Sequence, residues 1–209
     1  MQNTNNIPDI LVRLFDKELP GYKAQQNMLA KPLKPLPKGA LNADKIPSAV
    51  LILIYPTEDE LRFILTKRTE FVDHHKGQIS LPGGVMNRDE SLNETALRET
   101  MEEIGIDPNL IDIFGNLSPL HVKVSGFEIH PFVGWIDHEP VIVPSPQEVE
   151  DVISVSLGDL LDDNNLKEEE WAIRGYPVRV PYFQFNQAKV WGATAMILAE
   201  FKQVLKQIK

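Results

Sequence analysis

Three glutamates set the terms of this sequence. Glu99, Glu102 and Glu103 lie within the stretch GVMNRDESLNETALRETMEEIGI, which runs from Gly84 to Ile106. Residues three and four apart are neighbours on a helix, and like charges at those spacings repel by a few tenths of a kcal/mol per pair. A helix carrying Glu99, Glu102 and Glu103 on one face therefore asks for a compensating cation. Arg98 supplies one, four residues before Glu102. A hard divalent ion such as Mg²⁺ is a second, because it takes oxygen ligands and commonly sits between carboxylates and substrate phosphates.

The helix that would hold these groups has its own punctuation. Ser91 and Glu94 have the S-x-x-E spacing of a capping box, and Gly105 suits a left-handed stop. The spacing predicts a helix of about three turns between them. Leu97, Met101 and Ile104 fall opposite the glutamates and are expected to pack against the body of the protein.

The complete spacing is Gly84, five residues, Glu90, seven residues, Arg98-Glu99, two residues, Glu102-Glu103, one residue, then Gly105-Ile106. This resembles the Nudix box of the Nudix hydrolases at eight fixed positions. Thr100 is a departure, standing where the family usually has a bulky aliphatic residue. The resemblance implies an α/β Nudix fold with a mixed, curved sheet between helices. It implies hydrolysis of a nucleoside diphosphate linked to another group, with Mg²⁺ or Mn²⁺ as cofactor. Glu99, Glu102 and Glu103 would hold the metal, joined by the Gly84 carbonyl, and Arg98 would orient the glutamates.

A second resemblance lies just upstream, in LTKRTEFVDHHKGQISLPGG from Leu65 to Gly84. It is similar to the segment that precedes the box in the coenzyme A pyrophosphatase subgroup, at Leu65, Thr66, Arg68, Val72, His75, Gly77, Gln78, Pro82, Gly83 and Gly84. Val72 and Leu81 replace the subgroup's usual Leu and Phe. The implied substrate is coenzyme A or an acyl thioester of it. Lys67, Arg68, His75, Gln78, Gly83 and Gly84 are the expected substrate contacts. Lys67 and Arg68 would meet phosphate at a strand end, Arg with a bidentate fork. Pro82-Gly83-Gly84 allow a tight turn with close backbone approach. His74 carries no pattern match, and His121, His130 and His138 lack metal-ligand spacing.

Beyond the box, Glu148-Val149 resembles an E-V pair common in that subgroup. Glu148, with Glu150 behind it, is the expected extra carboxylate, as metal ligand or general base. The catalytic set is then Glu103, Glu102, Arg98 and Glu148. Arg174 and Arg179 are further candidates for phosphate contact, and the W-G-A-T-A stretch from Trp191 also resembles the subgroup.

The remaining chain reads as scaffold. Residues 1–44 are expected to form an N-terminal helix (Ile10, Leu11, Leu14, Phe15) stopped at Pro20-Gly21, then a proline-rich connector at 31–38. Residues 45–209 form the catalytic domain. Strands are predicted at 47–55, 61–67, 111–120, 127–135 and 178–185, with Pro131 marking a strand start or an edge. A short helix is expected at 157–161, an acidic loop at 162–170 and a C-terminal helix from Trp191 onward.

Composition narrows the alternatives. The chain has 209 residues, 43% apolar and 24% charged, which suits one globular domain. It contains no cysteine, which excludes disulfides and thiolate chemistry and fits a cytoplasmic setting. Net charge is −9, which disfavours nucleic acid and anionic membrane as partners. Neither a signal peptide nor a transmembrane run is expected. A homodimer is left open. The rival readings are a Nudix enzyme acting on ADP-ribose, NADH or an oxidised nucleotide, and a noncatalytic nucleotide-binding regulator.

Overall fold

The computed structural model describes residues 8–35, 45–69, 77–173 and 175–207. In chain order its helices and strands are α1 (Asp9–Val12), α2 (Tyr22–Gln25), β1 (Lys31–Pro32), β2 (Ile46–Pro56), β3 (Leu61–Arg68), β4 (Ile79–Ser80) and β5 (Gly83–Val85). Then come α3 (Leu92–Ile104), β6 (Asp112–Asn116), β7 (Leu120–Val122), β8 (Phe127–Trp135), β9 (Val149–Ser156) and α4 (Leu157–Leu161). The chain finishes with β10 (Leu166–Ile173), β11 (Tyr176–Phe185), β12 (Ala188–Val190) and α5 (Gly192–Leu205).

The larger sheet is built on β2, whose apolar, β-branched run is covered on both faces. Its alternate residues divide between two cores: Ile52 and Ile54 face one, Leu51 and Leu53 the other. β2 pairs in parallel with β8 along Ile46↔Phe127 to Ile54↔Trp135, so the sheet is mixed. Its hairpin partner β3 pairs with it only at Ile54↔Phe63 to Pro56↔Leu61. Beyond that the two strands part. β4 continues against β3 at Thr66↔Ser80, and β5 continues against β2 at Ala49↔Gly84. The Leu81-Pro82 link therefore spans the gap, with Pro82 accepting a hydrogen bond from the Leu51 N–H at 2.9 Å. β9 covers the other edge of β3 from Arg62↔Ser156 to Arg68↔Val149.

One face of this sheet carries α3 through Ala96 and Ile104. The opposite face is covered by α5 and by a second, four-stranded sheet of β1, β10, β11 and β12. The fold is thus α/β with a mixed sheet between helical layers. The strand β10 replaces the acidic loop expected at 162–170. Its glutamates lie along an edge strand, where charge discourages pairing with another chain.

Two further expectations change. Pro131 sits inside β8, flanked by β2 on one side and by β6 and β7 on the other. Its carbonyl accepts from the Leu117 N–H at 2.9 Å, on the β6/β7 side. Its missing N–H points the same way, into the break between Asn116 and Leu120, so no ladder bond is lost. That break also divides the predicted 111–120 strand into β6 and β7. The second change is on α3. Met101 is 54% exposed, while Thr100 is 0% exposed. Leu97 and Ile104 pack inward as expected, but Met101 does not; the fully buried positions are Thr95, Ala96, Thr100, Glu103 and Ile104. The Thr100 hydroxyl is satisfied by the Ala96 carbonyl at 2.7 Å, so threonine serves there as a buried spacer.

The expected N-terminal helix ends short of Pro20-Gly21, and a second helical segment follows them. α1 runs into a 3₁₀ turn at Arg13–Phe15, and α2 into another at Gln26–Met28. Leu11, Leu14 and Met28 join the α5-side core. Of the 31–38 connector, residues 31–32 form β1, and 36–38 lie outside the described residues. Among the described residues no helix is long and apolar enough to cross a membrane.

One buried side chain adds a polar tie to this segment. Glu200 on α5 is 0% exposed. Its carboxylate accepts from the Gly21 N–H at 3.1 Å, the Ser118 N–H at 3.2 Å and the Gln25 side-chain amide at 2.8 Å. Removing the acceptor leaves the part-buried Gly21 and Ser118 N–H groups unpaired, at about 1–3 kcal/mol each, while the Gln25 amide keeps the Ser118 carbonyl at 3.0 Å. Glu200→Ala is therefore expected to lower stability by about 3 kcal/mol in urea denaturation, and to expose the α1–α2 segment to limited proteolysis. Glu200→Gln should fall between the variant and the parent.

Candidate active site

Both ends of α3 are held as the sequence indicates. The Ser91 N–H donates to Glu94 Oε2 at 2.7 Å. Gly105 ends the helix at φ 73°, its N–H reaching the Met101 carbonyl at 2.9 Å. The last carbonyls of a helix lack partners within it. Here the segment before β9 supplies them: the Val143 N–H donates to Ile104 O at 2.9 Å and the Ser145 N–H to Glu103 O at 2.8 Å. That clamp brings Glu148, just ahead of β9, towards the glutamate face.

Arg98 gathers the acidic groups at the near end. Its Nε and Nη2 donate to Glu90 at 2.9 and 2.8 Å, and its Nη1 to Glu99 and Glu102 at 2.8 Å each. Glu90 also accepts from the Asn87 N–H and the Thr95 hydroxyl. The Arg98 hydrogen bond holds its carboxyl down at about 2, well below the usual range. The sequence marked Glu90 only as part of a spacing. Its structural role is to fix Arg98 from behind. The signal was its place eight residues before that arginine.

Glu99 lies against the β5 backbone. A methyl group on Gly84 would stand 2.4 Å from Glu99 Oε1, so any larger residue there would displace the carboxylate. Burial pushes the Glu99 carboxyl up, offset in part by Arg98. Glu102 is the outermost of the three, with its side chain 53% exposed.

Glu103 is the most enclosed, at 2% exposed. The Thr66 hydroxyl donates to its Oε2 at 3.2 Å, and Arg68 Nη1 lies 3.7 Å from its Oε1. Burial is the main cause that pushes its carboxyl up to about 7; Arg68 opposes the shift, and the charges of Glu99 and Glu148 add to it. Glu148 thus stands within electrostatic reach of both Glu99 and Glu103, which gathers it with the helix glutamates.

Strand alternation separates two candidates that are adjacent in sequence. Thr66 and Arg68 point to the α3 face of β3, and Leu65 belongs to the opposite core. Lys67 follows Leu65. Its ammonium pairs with Glu150 at 2.6 Å. It lines a groove of about 590 Å³ with Ile79, Ile153, Phe185 and Asn186, away from the glutamates. Glu150 goes with it. Gln78 contributes through its backbone, accepting from the Arg68 N–H at 3.0 Å. Gly83 packs on β2, where a methyl would meet the Ala49 carbonyl at 2.2 Å. Arg179 lies on β11, paired with Glu168 at 3.5 Å and Glu170 at 3.2 Å, and does not join the cluster. His75, His74, Val72 and Arg174 lie outside the described residues.

Among the described residues no three His, Asp or Glu side chains already converge as a set of metal ligands. Arg98 stands between Glu99 and Glu102, and Arg68 faces Glu103. The donor chemistry nevertheless fits a hard divalent cation. All the candidate ligands are oxygens. Burial raises the carboxyls of both Glu99 and Glu103, so negative charge here is incompletely compensated by the protein itself. Rotation of these side chains is what would bring them onto one ion.

Comparison with known proteins agrees with this geometry. The family described as NUDIX domain matches residues 45–177. "Nudix hydrolase 15, mitochondrial" from Arabidopsis thaliana is 34% identical over 88% of this chain and 67% of its own length. "Nudix hydrolase 22, chloroplastic" from the same plant is 36% identical over 77% of this chain, but this chain spans only 55% of it. "Uncharacterized Nudix hydrolase NudL" from Photorhabdus laumondii is 30% identical over 82% of this chain and 90% of its length. Among solved structures, the MutT protein from Methanosarcina mazei Go1 superposes with a TM-score of 0.52 at 20% identity, over 80% of this chain and 99% of that one, a likeness of fold. The capped helix with Glu99, Glu102 and Glu103, anchored through Arg98 to Glu90 and set against Gly84, is the Nudix box in three dimensions, and the chain belongs to the Nudix hydrolase family.

Proposed function

We propose that the chain is a divalent-metal-dependent diphosphatase for coenzyme A or its acyl thioesters, working in the cytoplasm. Its products would be 4′-phosphopantetheine, or the acyl form, and adenosine 3′,5′-bisphosphate. The observation that carries the diphosphatase reading is the buried Glu103 carboxylate, set among Glu99, Glu102 and Glu148 at the end of β3. What favours coenzyme A is the Leu65–Gly84 segment. Two of its members have geometric reasons to be there: Thr66 bonds Glu103, and Gly84 admits Glu99.

Glu99, Glu102 and Glu103 would hold Mg²⁺ or Mn²⁺, with the Gly84 carbonyl beside them. A cation held there would neutralise charge on the diphosphate and activate water for attack. Arg98 keeps the glutamates in place through Glu90. Arg68 meets a phosphate oxygen of the substrate. Glu103 or Glu148 takes the proton of the attacking water. Full retention of the glutamates speaks against a noncatalytic regulator.

Product analysis by HPLC with Mg²⁺ or Mn²⁺ tests the substrate. Adenosine 3′,5′-bisphosphate is expected from coenzyme A, faster than any product from NADH, ADP-ribose or 8-oxo-dGTP. Cleavage of ADP-ribose with coenzyme A untouched would retain the metal helix and discard the substrate assignment.

Glu103→Gln is expected to lower turnover by about 10²–10⁴-fold while the protein stays folded. Its stability has a definite sign. The Glu103 carboxyl sits near 7 when folded and at 4.5 in the reference state. Between those values the folded chain binds the extra proton, so the metal-free protein loses stability as pH rises from about 5 to above 7. Glutamine removes that penalty, of order 3 kcal/mol. In EDTA at pH 8 the variant should melt on the order of 10 °C higher, the gain vanishing near pH 5.

Gly84→Ala forces Glu99 to move by a sub-van-der-Waals contact. It should cost at least about tenfold in activity and reduce the rise in melting temperature that Mg²⁺ gives the parent.

A further inference from the structure

The two arginines of the site are held in different ways. Arg98 makes hydrogen bonds at 2.8–2.9 Å to three carboxylates. Arg68 faces Glu103 at 3.7 Å, beyond hydrogen-bond distance. Its Nε is buried without a hydrogen-bond partner among the described residues. Its backbone, by contrast, is pinned. Its N–H donates to Gln78 O at 3.0 Å, its carbonyl accepts from the Gly77 N–H at 3.2 Å, and it pairs with Val149 just past a register shift that skips Glu150 of β9. The guanidinium therefore neutralises Glu103 by proximity alone. Glu103 keeps a separate hydrogen bond from Thr66 that does not depend on Arg68.

We propose that Arg68 is an exchangeable counter-ion. It balances Glu103 until a divalent cation takes that carboxylate, and its guanidinium then passes to the diphosphate of the substrate. This rests on the metal-dependent reading above. The physical reason is competition. A guanidinium and a divalent ion cannot share one buried carboxylate oxygen without repelling each other. A diphosphate resolves the conflict by offering Arg68 a better-matched, bidentate acceptor. Arg98 cannot make the same move, because Glu90 anchors it from behind. Cation and diphosphate then bind with positive coupling, and the positive charge of Arg68 moves from protein to ligand.

The proposal makes an unusual demand on a residue that sits beside a metal site: deleting its charge should improve metal binding. Isothermal titration calorimetry with Mn²⁺ alone reads this directly. Arg68→Gln is expected to bind Mn²⁺ about fivefold more tightly than the parent. Arg68→Met, a second neutral variant, should do the same if the first folds poorly. Arg68→Lys, which keeps the charge, should stay within about twofold. The second readout is the affinity for α,β-methylene-ADP with Mn²⁺ and with EDTA. The gain that Mn²⁺ confers should be about tenfold larger in the parent than in the neutral variants. Mn²⁺ affinity unchanged or weakened in both neutral variants, with binding intact in the parent, overturns the exchange and leaves the metal site standing. Failure of the parent to bind Mn²⁺ overturns both.

Discussion

The central constraint is the cost of enclosing the Glu103 carboxylate at the end of a strand. A buried charge is tolerated only when it is paired and hydrogen-bonded, and here the pairing is partial. Thr66 offers one hydrogen bond and Arg68 a longer-range charge, while Glu99 and Glu148 add negative potential. The neighbouring choices follow from that. Thr100 is buried and self-satisfied, which lets α3 turn its acidic edge inward. Gly84 leaves room for Glu99, and the Glu90–Arg98 pair keeps the outer carboxylates from springing apart. Perturbed carboxyls of this kind, crowded beside arginines, mark a candidate functional site.

The larger sheet divides labour between its faces. On the α3 side, the ends of β3, β5 and the segment before β9 converge on polar groups. On the α5 side lies the bulk of the aromatic and aliphatic core, including Phe63, Leu65, Phe183 and Phe201. The boundary runs through single strands, so Thr66 and Arg68 serve the site while Leu65 serves the core. The early parting of β2 and β3 makes this workable. It opens a wedge at the strand ends that β4, Pro82 and β5 fill.

How much of this was readable in advance depended on the range of the interactions. The capping box, the Gly105 stop and the i, i+4 contact of Arg98 with Glu102 are local, and the sequence displayed them directly. The hydrophobic strands 46–56 and 61–68 were equally plain from their apolar runs. The face of α3 was misjudged because apolarity pointed to Met101, whereas packing against β2 and β5 selects the small Ala96 and Thr100. β10 was missed since its glutamates look like loop composition, and only its pairing with β11 makes it a strand. Pro131 looked like an edge because no sequence rule reveals that its missing N–H meets a gap in the neighbouring strand. Glu200 gave no local sign at all, because its three donors come from residues distant in the chain.

The parallel pairing of β2 with β8 carries a kinetic consequence. The contact between Ser48 and Glu128 joins positions 80 residues apart, and the chain between them contains β3, the Leu65–Gly84 segment and all of α3. Closing a loop of that length takes entropy before any native contact offsets it, and folds dominated by such pairings are slow to form. α3 can nucleate early from its own caps, but it has no surface to rest on until β2 is flanked. A nascent chain that displays its acidic helix still lacks the Thr66 and Arg68 surroundings that make those carboxylates unusual.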